Sequence, residues 1–232
     1  TYPVLSANNR HLNVYLNDDA KEVIDGMSSW WCAIHGYNVP EINEAIKSQI
    51  DCSSHLAHVM FGGLTHRPAV DLSTSLLAIL PPKLDKMFYS CSGSIAVEVA
   101  IKMALQYQIG RNHRQRNVLL SVRGGYHGDT IGAMSVSDPD NGMHGALFDG
   151  AVMTNVLRAE RNESSAYSVK TNYTATNSHD TTMVNSIREH LEKSGDTVAA
   201  VIMEPVCQGA GGMFFHSPAE LVEIRRLTQE HD

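Results

Sequence analysis

Residues 87–98 read MFYSCSGSIAVE, a short apolar run that ends in small hydroxyl residues and continues into a long apolar segment. The pattern predicts a strand over Met87–Tyr89, a tight turn, and a helix over Ile95–Gln108. The first backbone N–H groups of such a helix have no partner within the helix, and the helix dipole adds positive charge there. The turn at Ser92–Ser94 is therefore a candidate phosphate site. A plain helix N-cap by one of its serines is the alternative.

The rest of the chain alternates segments of strand and helix character. The further predicted strands are 12–16, 22–25, 117–122 and 198–203, and the further predicted helices are 40–50, 68–80, 129–134, 182–193 and 218–230. The 95–108 helix carries Val99, Ala100, Met103, Ala104 and Tyr107 at helical spacing. This order predicts an α/β fold with a mostly parallel sheet flanked by helices, in which ligands lie beyond the carboxyl ends of the strands. Val198–Met203 is predicted to be buried on both faces. Residues 155–182, rich in Asn, Ser and Thr, are predicted to form a surface loop.

Composition excludes several classes of function. The chain has 232 residues and a formal net charge of −7, which argues against nucleic acid or an anionic membrane as a partner. No apolar stretch near the start is long enough for a signal peptide or a spanning helix. The four cysteines and twelve histidines show neither zinc-site nor redox-pair spacing, so we expect reduced thiols, a cytoplasmic location and no metal site.

Three further motifs contain residues that could act on a ligand. Trp30 and Trp31 are the only tryptophans of the chain; on an extended segment they would face opposite ways, so one could line a substrate pocket, although two core or interface tryptophans fit equally well. Tyr126 lies in GGYHGDT (124–130), where it could stack on a planar ring or simply belong to a tight turn. Glu204 ends the apolar 198–203 run, where it could hold a polar network near the site or be purely structural.

Taken together, five stretches resemble the class III pyridoxal-phosphate aminotransferases: 25–38, 59–66, 92–100, 125–130 and 204–213. The Ser-Gly-Ser and Tyr-His-Gly elements are similar across that family. The Met-Ser-Ser-Trp-Trp and His-Val-Met-Phe-Gly-Gly runs resemble its biotin-pathway branch, which transfers an amino group from S-adenosylmethionine to 8-amino-7-oxononanoate. The resemblance implies the type I aminotransferase fold, pyridoxal 5′-phosphate as cofactor and a homodimer. It also implies that 1–50 is the N-terminal segment of the small domain and that 51–232 is an incomplete large domain, about half of it.

The resemblance also assigns roles to individual residues. Gly93 and Ser94 match the positions that hold the cofactor phosphate. Tyr126 matches an aromatic residue that lies against the pyridine ring and also touches substrate. Trp30 matches a substrate-pocket residue, and Glu204 matches a carboxylate behind the cofactor.

One expected element lies outside the sequence. The resemblance places the Schiff-base lysine beyond Asp232, so no catalytic residue is assigned and the chain is expected to be inactive by itself. Around Ser54–Ala57 the chain carries extra residues relative to the family pattern. Two other functions stay open: another class III aminotransferase acting on a diamine or an omega-amino acid, and a non-catalytic phosphate-binding module.

Overall fold

The computed structural model describes residues 1–52, 62–140, 145–148, 150–166 and 181–232. The chain forms two compact units, Thr1–Met87 and Phe88–Asp232. The predicted division near residue 50 stays a prediction. Residues 54–57, with their predicted insertion, lie outside the described residues, as does the 167–180 part of the predicted loop.

The first unit starts with three antiparallel strands. In chain order its described elements are β1 (Val4–Asn8), β2 (His11–Leu16), β3 (Asp19–Ile24), α1 (Ser28–Trp31), α2 (Pro40–Cys52) and α3 (Arg67–Leu77). A two-residue turn joins β2 to β3 at Asn17 and Asp18, whose φ angles of 50° and 63° suit the twist of a hairpin. The predicted strands at 12–16 and 22–25 correspond to β2 and β3, and both predicted helices are confirmed. The second helix ends at Leu77 rather than at residue 80, and the sequence does not predict β1.

The second unit is built around a parallel sheet. Its described elements are α4 (Gly93–Gly110), β4 (Val118–Val122), α5 (Ile131–Val136), α6 (Gly145–Phe148), β5 (Val156–Ala159), α7 (Thr182–Ser194), β6 (Val198–Val201), β7 (Cys207–Gln208), β8 (Phe214–Phe215) and α8 (Pro218–Glu230). β4 pairs in parallel with β5 on one side and with β6 on the other. The predicted parallel sheet is thus confirmed.

Helices cover both faces of this sheet. Successive side chains of a strand point to opposite faces, so Leu120 and Leu119 of β4 enter different cores. Leu120 packs with Ile187 of α7 and Leu227 of α8. Leu119 packs with residues of α4, α5 and β6. The α/β class with helices on both sides is therefore confirmed.

Two predicted elements are wrong. Met87–Tyr89 is not a strand. A strand needs a hydrogen-bonded neighbouring strand, and the strand pairs among the described residues do not include this segment. The surface loop predicted for 155–182 is wrong at its start, since Val156–Ala159 forms β5. The many polar residues that follow obscure the strand in the sequence, although the backbone of these four residues pairs with β4.

The predicted strand at 198–203 is shorter and less enclosed than expected. It ends at Val201, and only its first half is buried. Among the described strands it lies at the edge of the sheet, because its ladder runs to β4 alone.

Candidate functional site

Three loops of the second unit come together beyond the carboxyl ends of β4 and β6. They are the turn at 92–94 before α4, the loop at 123–130 after β4, and the loop at 204–212 after β6. Four of the predicted site residues, Gly93, Ser94, Tyr126 and Glu204, lie on these loops, and hydrogen bonds given below connect the loops of the last three. This is the place where parallel α/β sheets bind ligands.

The start of α4 combines a cap with open backbone donors. Ser92 is the N-cap, and its Oγ accepts from the Ile95 N–H at 3.2 Å. The cap therefore uses one donor, whereas the N–H groups of Gly93 and Ser94 open the helix and have no acceptor within it. Ser94 Oγ accepts from the Asp129 N–H at 3.1 Å. A Cβ on Gly128 (φ +125°) would lie 2.2 Å from that Oγ, so the close approach of the two loops requires glycine.

Four side chains from three parts of the chain fix the 124–129 loop. They accept hydrogen bonds from its backbone: Gly124 N–H to Asp138 Oδ2 (2.6 Å), Tyr126 N–H to Glu204 Oε2 (3.1 Å), His127 N–H to Ser137 Oγ (2.9 Å) and Asp129 N–H to Ser94 Oγ (3.1 Å). A loop held at four of its six residues keeps few alternative conformations, which is what presenting an aromatic ring to a ligand requires.

Glu204 links two of the three loops. Its Oε2 accepts from Tyr126 as above, and its Oε1 accepts from the Gly209 N–H at 3.0 Å. Burial raises the pKa of Glu204, while the two N–H donors lower it in part. A Cβ on Gly211 would lie 2.1 Å from the Gly124 carbonyl oxygen, so the loops are in direct contact. These contacts agree with a purely structural role of Glu204, which the sequence left open. A role of Glu204 behind a cofactor stays a prediction.

Tyr126 and His127 differ in what their side chains meet. The Tyr126 hydroxyl donates to Asp129 Oδ2 at 2.9 Å, and burial together with this bond raises the pKa of the phenol. Burial lowers the pKa of His127 to about 4, so its imidazole is neutral at physiological pH. Its buried Nε2 has no hydrogen-bond partner among the described residues.

Trp30 belongs to the first unit, and its expected extended backbone is wrong. Ser28, Ser29, Trp30 and Trp31 form a left-handed turn with φ angles of 47°, 46°, 55° and 69°. Each non-glycine residue pays roughly 1–2 kcal/mol for this conformation. Trp30 is 76% exposed and Trp31 50% exposed, so neither is a core residue within the described structure.

Sequence reasoning missed several residues that shape the site. Asp138 and Ser137 hold the 124–129 loop, and Gln208 Nε2 donates to the Arg123 carbonyl oxygen at 2.9 Å. These contacts are long-range, and no local pattern signals them. Asp25, which binds the Trp30 turn, could have been found, because Asp-Gly-Met-Ser is a pattern in which an Asp side chain accepts from backbone two residues on.

Other kinds of site are absent from the parts of the chain that the structure describes. There, no cluster of His, Cys, Asp and Glu could hold a metal ion. Nor is any helix of those residues long and apolar enough to cross a bilayer. The three loops contain no lysine, and the described lysines of the second unit, Lys102 and Lys193, lie on α4 and α7.

Comparison with known proteins decides the family. Residues 2–232 match the family described as aminotransferase class-III. The chain belongs to the class III aminotransferases. Members of this family named adenosylmethionine-8-amino-7-oxononanoate aminotransferase are 43% identical over 99% of the chain (Buchnera aphidicola, 50% of that protein) and 45% identical over 93% (Corynebacterium glutamicum, 47% of that protein). The yeast Saccharomyces cerevisiae relative of the same name is 41% identical over the whole chain.

Solved class III structures have the same fold. The crystal structure of adenosylmethionine-8-amino-7-oxononanoate aminotransferase from Methanocaldococcus jannaschii superposes with a TM-score of 0.83 at 29% identity, over 100% of this chain and 47% of that one. An amine transaminase from an uncultivated Pseudomonas species, solved in its pyridoxal-phosphate-bound form, gives 0.81 at 25% identity. This aminotransferase chain therefore spans about half the length of the relatives it matches.

Class III aminotransferases use pyridoxal 5′-phosphate, and the second unit offers donors that suit it. The phosphate is a dianion, for which the open N–H groups of Gly93 and Ser94 at the start of the 18-residue helix α4 are fitting partners. The Ser94 and Gly128 contact keeps that helix start next to the loop of Tyr126, a suitable neighbour for a pyridine ring. The described residues thus fit the phosphate and ring parts of the cofactor.

Proposed function

We propose that the full-length protein is the aminotransferase of biotin synthesis that converts 8-amino-7-oxononanoate to 7,8-diaminononanoate with S-adenosylmethionine as amino donor. The single observation that carries this is the identity of 41–45% along nearly the whole chain to relatives of that name. The family resemblance further suggests a cytoplasmic homodimer.

In this proposal the chain supplies the binding half of the site. The N–H groups of Gly93 and Ser94 bind the cofactor phosphate, and Tyr126 lies against the pyridine ring and touches substrate. Glu204 holds the Tyr126 loop through its two N–H bonds, and Trp30 binds substrate. When bound, pyridoxal phosphate supplies the electron sink through which an amino group leaves the donor and reaches the acceptor.

The test is an assay of the full-length protein loaded with pyridoxal phosphate. We expect 7,8-diaminononanoate, measured by mass spectrometry, from 8-amino-7-oxononanoate and S-adenosylmethionine. A panel of diamines and omega-amino acids serves as competing donors. Turnover of those amines without any use of 8-amino-7-oxononanoate would overturn the proposal in favour of another class III activity. Residues 1–232 alone, as a control, are expected to give no product.

The site roles have their own test. Ser94→Ala keeps the helix-start N–H groups but loses the bond to Asp129, so it should weaken pyridoxal phosphate binding less than Ser94→Pro, which removes a backbone donor. Binding is measured by titrating the apo-protein and following cofactor absorbance. Equal affinity of both variants and the parent would remove the phosphate role from this turn.

A further inference from the structure

The Trp30 turn is an unusual backbone that needs an outside restraint. Ser28–Trp31 are four successive non-glycine residues with left-handed φ. Such a conformation persists only where neighbouring groups over-determine it, and it is common at ligand sites. Trp30 is 76% and Trp31 50% exposed, so packing of these side chains provides little of that restraint within the described residues.

Asp25 provides the restraint. Its Oδ1 accepts from the Met27 N–H at 3.1 Å, and its Oδ2 accepts from the Ser29 N–H at 2.8 Å and from Ser29 Oγ at 3.2 Å. The Tyr37 hydroxyl donates to the same Oδ2 at 2.5 Å. Because one carboxylate takes four donors, it holds the entry to the turn and a residue twelve positions further on.

The far end of this network is tied to the strands. Tyr37 and Asn9 exchange two backbone hydrogen bonds, of 2.6 and 2.9 Å. A Cβ on Gly36 (φ +81°) would lie 2.7 Å from the Asn9 carbonyl oxygen, so this contact needs glycine. The Asp25 N–H donates to the Arg10 carbonyl oxygen at 2.9 Å. The carboxylate therefore connects the Trp30 turn to the turn between β1 and β2.

The charge state agrees with this geometry. The Tyr37 hydrogen bond lowers the pKa of Asp25, and the same bond raises the pKa of Tyr37. Asp25 is thus an ionised acceptor and Tyr37 a neutral donor at neutral pH. Together with Ser28, the pair also borders a small polar cavity of about 210 Å³.

We propose that Asp25, working with Tyr37, is a positioning residue that holds the left-handed turn and so sets how Trp30 meets the substrate. The inference rests on the proposed function, because it takes Trp30 as a substrate contact. Asp25 itself touches no reacting atom in it.

The test uses the full-length holoenzyme labelled with 5-fluorotryptophan. Trp30→Phe and Trp31→Phe assign the fluorine resonances of these two residues. In Asp25→Asn an amide NH₂ group takes the place of Oδ2, which accepts from three donors in the parent, and an NH₂ group cannot accept these hydrogen bonds. We expect the Trp30 resonance to shift or broaden and KM for 8-amino-7-oxononanoate to rise about tenfold, with kcat changed less than twofold. Tyr37→Phe, which keeps the carboxylate, should raise KM about threefold, and Asp25→Glu should recover part of the loss.

Matched controls are Asp19→Asn on β3 and Tyr15→Phe on β2, two exposed residues of the same unit, which should alter neither readout. An unchanged Trp30 resonance in both Asp25→Asn and Tyr37→Phe overturns the inference. A changed resonance with unchanged KM also overturns it, because the turn would then not serve binding. Failure of the proposed function looks different: the parent enzyme would then not use 8-amino-7-oxononanoate at all.

Discussion

The two units of the chain hold their structures in different ways. In the described part of the first unit, Val14 is the one buried apolar side chain, and Ile42, Ile46 and Ile50 form an exposed stripe along α2. The second unit buries sixteen apolar side chains in its described part, and Leu120 and Ile187 are completely inaccessible. The first unit depends on hairpin ladders and on the Asp25 network, whereas the second depends on contacts between residues far apart in sequence.

This difference explains where the candidate site can be precise. The loop of Tyr126 is fixed by acceptors 10 to 78 residues away, which the packed sheet brings together. The turn of Trp30 is fixed by one acceptor, the Asp25 carboxylate, whose hydrogen-bond donors lie within 12 residues of it. Removing the same chemical group should therefore lower the free energy of unfolding by different amounts in the two units.

The largest difference is expected for leucine truncation. Leu120→Ala removes a completely buried side chain from the centre of the sheet and should lower the free energy of unfolding by about 3–4 kcal/mol. Leu5→Ala, on the strand β1 and 58% exposed, should cost less than about 1 kcal/mol. Urea denaturation of the full-length protein, followed by circular dichroism, measures both. Equal losses would mean that the contrast in burial does not exist in the complete protein.

A second contrast compares two asparagines. Asn162 is buried. Its Nδ2 donates to Glu220, and its Oδ1 accepts from the Met183 N–H at 2.8 Å. Asn162→Ala leaves both partners buried without it, and the free energy of unfolding should fall by about 2–3 kcal/mol. Asn13 Nδ2 donates to Ser6 Oγ at 2.8 Å, but in an exposed position.

Asn13→Ala is the matched control, and it should change the free energy of unfolding by no more than about 0.5 kcal/mol, because water replaces the lost bond. Both variants are compared in the same urea titration. A large loss in Asn13→Ala would show that polar contacts in the first unit are less exposed to water than its described surface indicates.

The same division explains what the sequence could predict. Local signals were sufficient for the strands β2 and β3, for α2, α7 and α8, and for a serine cap before α4, because neighbouring residues determine each of them. The face of α4 could not be predicted. Helical spacing emphasises Met103 and Tyr107, which are 54% and 53% exposed, while the structure buries Gln108. Gln108 is inside because its Nε2 donates to the Ala199 carbonyl oxygen at 3.1 Å, a partner 91 positions away.

The candidate site shows the same limit. The short motifs around Ser94, Tyr126 and Glu204 are visible in the sequence because each places glycines near a hydroxyl, aromatic or carboxylate side chain. Asp138 carries no such signal, since only the fold brings its carboxylate to the Gly124 N–H. β5 was hidden for the same reason, because its existence depends on pairing with β4.

Acidification should act on the second unit through a buried imidazole. The pKa of His127 is about 4 in the folded chain against an ordinary value of 6.5. Between pH 6.5 and pH 4 the imidazole is therefore protonated in the unfolded chain but not in the folded one, so the free energy of unfolding falls as the pH drops below 6.5. Linkage gives a loss of about 2 kcal/mol at pH 5. His216, whose pKa burial also lowers, acts in the same direction.

His127→Gln isolates this contribution. The variant removes the titrating group, so its free energy of unfolding should vary less between pH 7 and pH 5 than that of the parent, by roughly the 2 kcal/mol that linkage assigns to the imidazole. The measurement is a series of urea titrations at fixed ionic strength. If parent and variant give parallel pH profiles, the His127 imidazole is not buried as described.

The last comparison, between two helix caps, is expected to show no difference in stability between the units. Ser92 caps α4 in the second unit through the Ile95 N–H at 3.2 Å, and His66 caps α3 in the first unit by accepting from the Ala69 N–H at the same distance. Each of Ser92→Ala and His66→Ala removes one cap and should cost about 1 kcal/mol. Because a cap acts on its own helix end, the two losses in thermal or urea unfolding should agree within error. If instead Ser92→Ala were several times more costly, the two units would differ in their local structure as well, and long-range packing alone would not explain the contrast between them.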